Sequence, residues 1–348
     1  MKIVLAMTQA LFIKGGAEYH VQNLKNALIK AGHDVDTVNI PMMDNPVELL
    51  EKQIVATRLL EIERTWAGMS DLCIGLKFPA YFLRHSNKVI WAMHQYQAAY
   101  DHWGASYNDM HLQPEGARIK DIIINADNLY LREAKRVYAS SKHVANKMQK
   151  YNDINAQPLY HPCPDMDGFY DGGYDNYILM PSRINSQKRQ RLAIDAMAYT
   201  KSDIKLVITG KADNEFEADN IRQYVRDKNL EKKVQCQLYD YKDEKTKLYA
   251  NARAVLFIPM YDAYGYITLE AMSASKAIIT CKDSGGPLEF VVNNKTGFVV
   301  DPNPVEIAMA IDELANSISL ARELGKTAKK HITNMDISWD NVVKELTR

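Results

Sequence analysis

The chain has 348 residues, 47% of them hydrophobic, with 43 basic and 43 acidic side chains and no formal net charge. That length suits two cores better than one, and the balanced charge excludes a nucleic-acid binder working through a basic surface. Four scattered cysteines, Cys73, Cys163, Cys236 and Cys281, lack close spacing and point to buried thiols rather than disulfides or a metal cluster.

The opening run Met-Lys-Ile-Val-Leu-Ala-Met is too short for a signal peptide and reads as a strand over Lys2–Met7. No stretch approaches the ~20 apolar residues of a membrane span. The simplest expectation is a cytoplasmic protein with at most peripheral membrane contact. A loop with Gly15 and Gly16 leads into a helix over Glu18–Ala31, ended by Gly32. Paired glycines let backbone approach a bulky ligand closely. The dinucleotide fingerprint G-x-G-x-x-G is absent at this first turn and no Walker A sequence occurs, which counts against a nicotinamide enzyme or a P-loop NTPase.

A second strand over 34–38, a long amphipathic helix over 46–66 and strands over 72–76 and 88–93 follow. His94 ends the last of these, where open α/β sheets bind ligands. The aromatic residues beyond it, Tyr96, Tyr100, His102 and Trp103, serve equally well as core or as a platform for a sugar face. A helix over 115–133, a strand over 136–139 and a helix over 142–151 capped by Ser140 or Ser141 complete the first half. The proline-bearing stretch 159–164 reads as an interdomain linker.

The second half opens with a strand over 177–181. Arg183 and Lys188 follow it, at a strand end and a helix start where basic groups gain nothing from the helix dipole unless an anion joins them. Arg189 and Arg191 read as solvated. Strands over 204–209 and 233–237 alternate with helices over 215–227 and 241–251. The apolar run 254–258 then leads into a loop carrying Asp262. Gly265 permits a tight turn, and a helix over 266–274 carries Glu270 and aims its unpaired N–H groups beyond the strand ends, a natural phosphate site. A strand over 277–280, Gly285-Gly286 and a helix opened by Glu289 come next. After a strand over 297–300 the remainder reads as helical.

Asp262, seven residues and Glu270 within Glu-Ala-Met, followed by a strand and Gly-Gly-x-x-Glu, resembles the signature of the retaining GT-B glycosyltransferases of family 4, with Asp262 where that family usually carries Glu. Arg183, four residues and Lys188 match the family's diphosphate clamp, and Gly-Gly-Ala-Glu after the first strand matches its acceptor-side loop. The resemblance implies an α/β chain of GT-B type, with two Rossmann-like domains whose parallel sheets face across a cleft. Residues 1–164 would form the acceptor side, 165–332 the nucleotide-sugar side, and 333–348 a helix packing back on the first domain through Trp339.

It further implies catalytic roles for Arg183, Lys188, Asp262 and His94. Donor contacts would come from Gly15, Gly16, Gly210, Tyr239, Tyr264, Gly265, Tyr266, Ile267, Thr268, Leu269 and Glu270. The donor would be a nucleotide-diphosphate sugar, UDP- or GDP-linked, the acceptor a saccharide or lipid-linked hydroxyl, and neither metal nor cofactor would be required. A nucleotide-sugar epimerase and a non-catalytic nucleotide-sugar-binding subunit are the rival expectations.

Overall fold

The computed structural model describes residues 1–12, 15–105, 107–212, 214–238 and 244–348. They form two units, Met1–Pro164 with Ile337–Arg348, and Asp165–Asp336.

The first unit runs β1 (Lys2–Gln9), α1 (Gly16–Lys30), β2 (Asp34–Pro41), α2 (Leu49–Leu59), β3 (Arg64–Thr65), β4 (Gly68–Met69), β5 (Leu72–Gly75), β6 (Lys88–Ala92), α3 (Gly116–Tyr130), β7 (Arg136–Ala139), α4 (Lys142–Asn152) and β8 (Gln157–Pro158). Six of these strands make one parallel sheet in the order β2-β1-β5-β6-β7-β8. β5 and β6 are buried along their whole length, as continuous apolar strands must be when helices cover both faces of a parallel sheet. The helix foreseen over 46–66 stops at Leu59. The Glu61 carboxylate accepts the N–H groups of Glu63 and Arg64 at 2.9 and 3.1 Å. Thr65 Oγ1 donates to the Gly68 carbonyl at 2.7 Å, closing the small antiparallel hairpin β3–β4. Of the two serines before α4, Ser141 is the cap, its hydroxyl accepting from Val144 N–H.

Tyr100 belongs to the core. Its hydroxyl donates to the buried Asp127 of α3 at 2.6 Å, beside that of Tyr81 at 2.9 Å, and accepts from Asn152 at 3.1 Å. Burial pushes the Asp127 carboxyl up to about 7. His102 is buried as well, while Tyr96 and Trp103 are half-buried.

The second unit runs β9 (Tyr177–Pro181), α5 (Gln190–Tyr199), β10 (Lys205–Thr209), α6 (Glu215–Asp227), β11 (Val234–Gln237), α7 (Lys245–Asn251), β12 (Ala254–Leu256), α8 (Tyr266–Ser273), β13 (Ile278–Cys281), β14 (Gly297–Val300), α9 (Pro304–Asn316) and α10 (Ile318–Thr333). Its parallel sheet has the order β11-β10-β9-β12-β13-β14. The order reverses between β9 and β12, so the loops leaving those two neighbours emerge side by side at the carboxyl edge. Open α/β sheets bind their ligands at such a switch point. The segment at Glu289 is a short 3₁₀ turn over Gly286–Glu289 rather than the start of a longer helix.

The chain returns to the first unit with α11 (Trp339–Thr347), whose Val342, Val343 and Leu346 join the core built on Leu24, Leu28 and Trp91. Trp339 packs at ring-centroid distances of 5.9–6.4 Å on His161, His20 and Trp91. His20 Nδ1 and His161 Nε2 lie 2.8 Å apart, so one ring donates and the other accepts. Burial lowers His20 to about 3 and His161 well below its ordinary range, which keeps this pair neutral. The four cysteines carry no disulfide; Cys73, Cys163 and Cys281 are buried and Cys236 is half-buried. Among the described residues no helix is long and apolar enough to cross a membrane.

Candidate active site

Three loops at the carboxyl edge of the second sheet lock together. In the loop after β9, buried Ile184 and Gln190 form the inner side, with Gln190 Nε2 donating to Arg183 O at 2.8 Å and to Ser182 Oγ at 2.9 Å. The Arg183 side chain is thereby carried outward and is exposed. Asn185 accepts from Lys188 N–H at 3.2 Å and caps the 3₁₀ turn that presents Lys188. The Lys188 ammonium is ion-paired with Asp262 Oδ2 of the loop after β12, and Met260 N–H donates to Gln187 O at 2.9 Å between the same loops.

Arg189 departs from the solvated role expected of it. It adopts the left-handed backbone region, φ 58°, and grips Asp283 of the loop after β13 with two bonds of 2.5 and 2.7 Å. Two parallel charge-assisted bonds fix orientation as well as distance. Arg191 is exposed, as expected, with its guanidinium 5.0 Å from the centroid of the Tyr224 ring.

Asp262 is held on every side. Its Oδ1 accepts from Tyr264 N–H at 3.2 Å, its N–H donates to Ser284 O at 3.0 Å and its carbonyl accepts from Gly286 N–H at 2.7 Å. The glycine pair is what permits this interlock. Gly285 has φ 78°, and a Cβ on it would lie 2.5 Å from Asp262 O. Gly285→Ala should therefore destabilise the second unit by about 1–3 kcal/mol through backbone strain. Chemical denaturation of the variant against wild type measures the difference.

Gly265, at φ 90°, turns the chain into α8, where Thr268 N–H reaches back to Gly265 O at 2.9 Å. Tyr266 and Ile267 are half-buried at this helix start, and Thr268, Leu269 and Glu270 are buried. The ring of Tyr264 is also buried, edge-on to Phe290 and Tyr266. Glu270 is only 4% exposed, with Oε1 at 2.5 Å from Lys245 Nζ and Oε2 at 2.5 Å from the Tyr249 hydroxyl. Sequence reasoning missed these two partners. Their spacing of four residues on one helix was visible, but nothing in it pointed at Glu270. Gly210, at φ 136°, lets the turn after β10 approach the Ser182 carbonyl, which a Cβ would meet at 2.0 Å. Tyr239 lies outside the described residues.

Three expected residues belong to the first unit. Gly15 caps α1, its N–H donating to the Glu18 carboxylate at 2.7 Å, and Gly16 begins the helix. His94 follows β6 with Nδ1 2.6 Å from Gln95 O, an arrangement that makes Nδ1–H the donor and leaves Nε2 as the acceptor. Burial, with Lys77 nearby, lowers its pKa to about 4, so the ring is neutral at pH 7. Among the described residues no group of three or more His, Cys, Asp or Glu side chains could hold a metal ion.

Residues 172–331 match the family described as glycosyl transferases group 1, a range that contains all three interlocked loops and α8. Over those residues the second unit is similar to a group 1 glycosyltransferase domain. The Dictyostelium discoideum alpha-1,3/1,6-mannosyltransferase ALG2 is 25% identical over 175 residues, 45% of this chain and 41% of that protein. The chain spans about half the length, or less, of the curated relatives it matches first. The sucrose-phosphate synthase of Thermosynechococcus elongatus superposes with a TM-score of 0.79 at 16% identity, covering 99% of this chain and 97% of the other. Anabaena HepE, solved with UDP and glucose, gives 0.68 at 16% identity over 99% and 98%. The fold around the matched residues is thus GT-B.

Proposed function

We propose that the protein transfers a hexose-type sugar from a nucleotide-diphosphate sugar to a hydroxyl acceptor, retaining the configuration at the anomeric carbon and using no metal. The observation that carries this reading is the meeting of the β9 and β12 loops at the switch point of the second unit's sheet. It brings Lys188, Asp262 and the start of α8 to one end of one sheet.

In the reaction the bond between the anomeric carbon and the distal phosphate oxygen breaks, and its electron pair leaves with the phosphate. The acceptor oxygen bonds to that carbon and its proton passes to the departing phosphate. Negative charge grows on the phosphate as the bond stretches. Arg183, Lys188 and the start of α8 are what this chain offers to that charge. Such groups accelerate transfer because they are already oriented when the charge appears. In this reading Glu270 accepts the ribose hydroxyls of the donor.

The UDP held by HepE supports a UDP-sugar donor, with a GDP-sugar the other choice, and the mannosyl group in the name of ALG2 supports a hexose. The acceptor in this reading is a saccharide or lipid-linked hydroxyl. A thermal-shift panel of UDP-, GDP- and ADP-sugars tests it, because a ligand at ~100 times its Kd adds roughly 2.7 kcal/mol to the folded state. At least one sugar nucleotide should raise Tm. No shift with any of them, or bound density that touches neither Arg183 nor Glu270, would overturn the reading.

A further inference from the structure

We propose that the first unit carries a binding site for a phosphomonoester at the amino edge of its sheet, built by Arg132, Lys135, Arg136 and Arg348. The site is separate from the residues assigned to sugar transfer and does not depend on that reading.

The turns that lead from α3 into β7 and from α4 into β8 lie side by side at this edge, with the end of α11 against them. They border a cavity of about 450 Å³, whose lining includes all four cations, the buried Tyr138 and Asp153. That volume falls in the range of small-molecule sites. His94 follows β6 at the opposite, carboxyl edge of the same sheet, so the cavity lies away from it.

Charge at the cavity is unbalanced. Asp153 Oδ2 is 3.9 Å from Arg132, beyond hydrogen-bond reach, and Glu345 takes Arg348 at 3.0 Å. Arg136 and Lys135 have no carboxylate partner among the described residues, and the exposed Lys135 ammonium has no hydrogen bond either. Four cations against two carboxylates leave two positive charges over. Other arginines are covered, Arg58 by Glu133 at 2.7 Å and Arg222 by Asp219 at 2.9 Å. In a chain with no net charge this local excess is a repulsion that a bound anion removes. A phosphomonoester carries roughly 1.5–2 negative charges at pH 7 and three acceptor oxygens, which matches the excess. Guanidinium forks also suit phosphate oxygens.

The competing explanation is that these side chains only close helix ends, where cations meet the negative end of the dipole. Arg132 does donate to Asn152 O at 2.9 Å at the end of α4, and Arg136 to Leu346 O at 3.4 Å in the last turn of α11. Each contact uses one of the five N–H groups of a guanidinium and leaves the others for a ligand. Lys135 makes neither contact, so helix closure does not account for it.

A phosphomonoester reaches such a site either free or as the headgroup of a membrane lipid. Isothermal titration of the full chain with glycerol 3-phosphate, with glycerol as the uncharged control, tests the first source. Sedimentation with phosphatidylcholine vesicles, with and without phosphatidic acid, tests the second. Both are run at physiological ionic strength, where loose Coulomb attraction is screened within ~8 Å. Binding of glycerol 3-phosphate supports a free ligand, and binding of phosphatidic acid vesicles alone supports the headgroup. In either case Lys135→Ala should weaken binding about tenfold or more, the usual effect of losing a hydrogen bond to a charged group, and Lys135→Glu should abolish it. Lys188→Ala should leave it unchanged, which separates this cavity from the proposed phosphate clamp. Lys135 is exposed, so its variants keep the fold. No binding of either probe, or binding that survives Lys135→Glu, would overturn the proposal and leave the proposed function standing.

Discussion

Lys188→Ala should lower kcat/KM by about 10²–10³-fold, the usual consequence of losing one preorganised donor to a developing anion. Its effect on the ground state adds to this. Lys188 and Asp262 neutralise each other with 18% and 19% of their side chains exposed. Without the ammonium, Asp262 stays charged where the pyrophosphate must arrive. Two unit charges 4 Å apart repel by ~4 kcal/mol at an effective dielectric of 20, a penalty as large as the lost contact. Three results follow. Asp262→Asn frees the ammonium and should tighten nucleoside diphosphate binding. Lys188→Ala with Asp262→Asn should recover part of the loss from Lys188→Ala alone. Asp262→Glu should cost far less than Lys188→Ala, because a carboxylate one ~1.5 Å bond further out can still reach the lysine. Initial-rate kinetics with titration of the product nucleotide checks all three. Equal turnover by wild type and Lys188→Ala rejects the clamp role.

This coupling also shows which parts of the molecule the sequence made readable. Arg183, Lys188 and Asp262 stand in loops past short apolar strands and Glu270 on the helix that follows, all with local spacing, and alternating strands and helices imply a parallel sheet with a switch point. Their mutual neutralisation was not readable, since Lys188 and Asp262 are 74 residues apart and their contact depends on β9 lying beside β12. Arg189 and Asp283 are 94 apart and tie a loop that local charge counting leaves in solvent. Tyr100 could be core or sugar platform until Asp127, on a different element, took its hydroxyl. The overlong α2 has a nearer cause. Helical periodicity continued past Leu59, but the Glu61 carboxylate bonded the next N–H groups and drew the backbone out of the helix.

Acidification from pH 6.5 to 4 should destabilise the first unit, and the sign follows from its buried titratable groups. His20, His161 and His94 have pKa values pushed down by burial, to about 3, well below the ordinary range and about 4. Unfolding restores each to ~6.5, so the unfolded chain binds the extra protons and stability falls as pH drops below 6.5. Asp127 acts in the opposite sense. Its carboxyl, raised by burial to about 7, holds a proton that the unfolded chain releases above ~3.9, so its contribution grows on acidification over the same window. His102, lowered by burial as well, adds to the histidine side, so the histidines outweigh Asp127 and the net effect of acidification is a loss of stability. All four tryptophans, Trp66, Trp91, Trp103 and Trp339, belong to this unit, so fluorescence-monitored denaturation reports it selectively. Asp127→Asn removes the opposing group and should steepen the decline. His161→Gln, which keeps a hydrogen-bonding group beside His20, should make it shallower. A midpoint that stays constant from pH 6.5 to 4 would show that the histidines are not held neutral inside the fold, and would remove the physical basis for assigning His94 as a neutral acceptor.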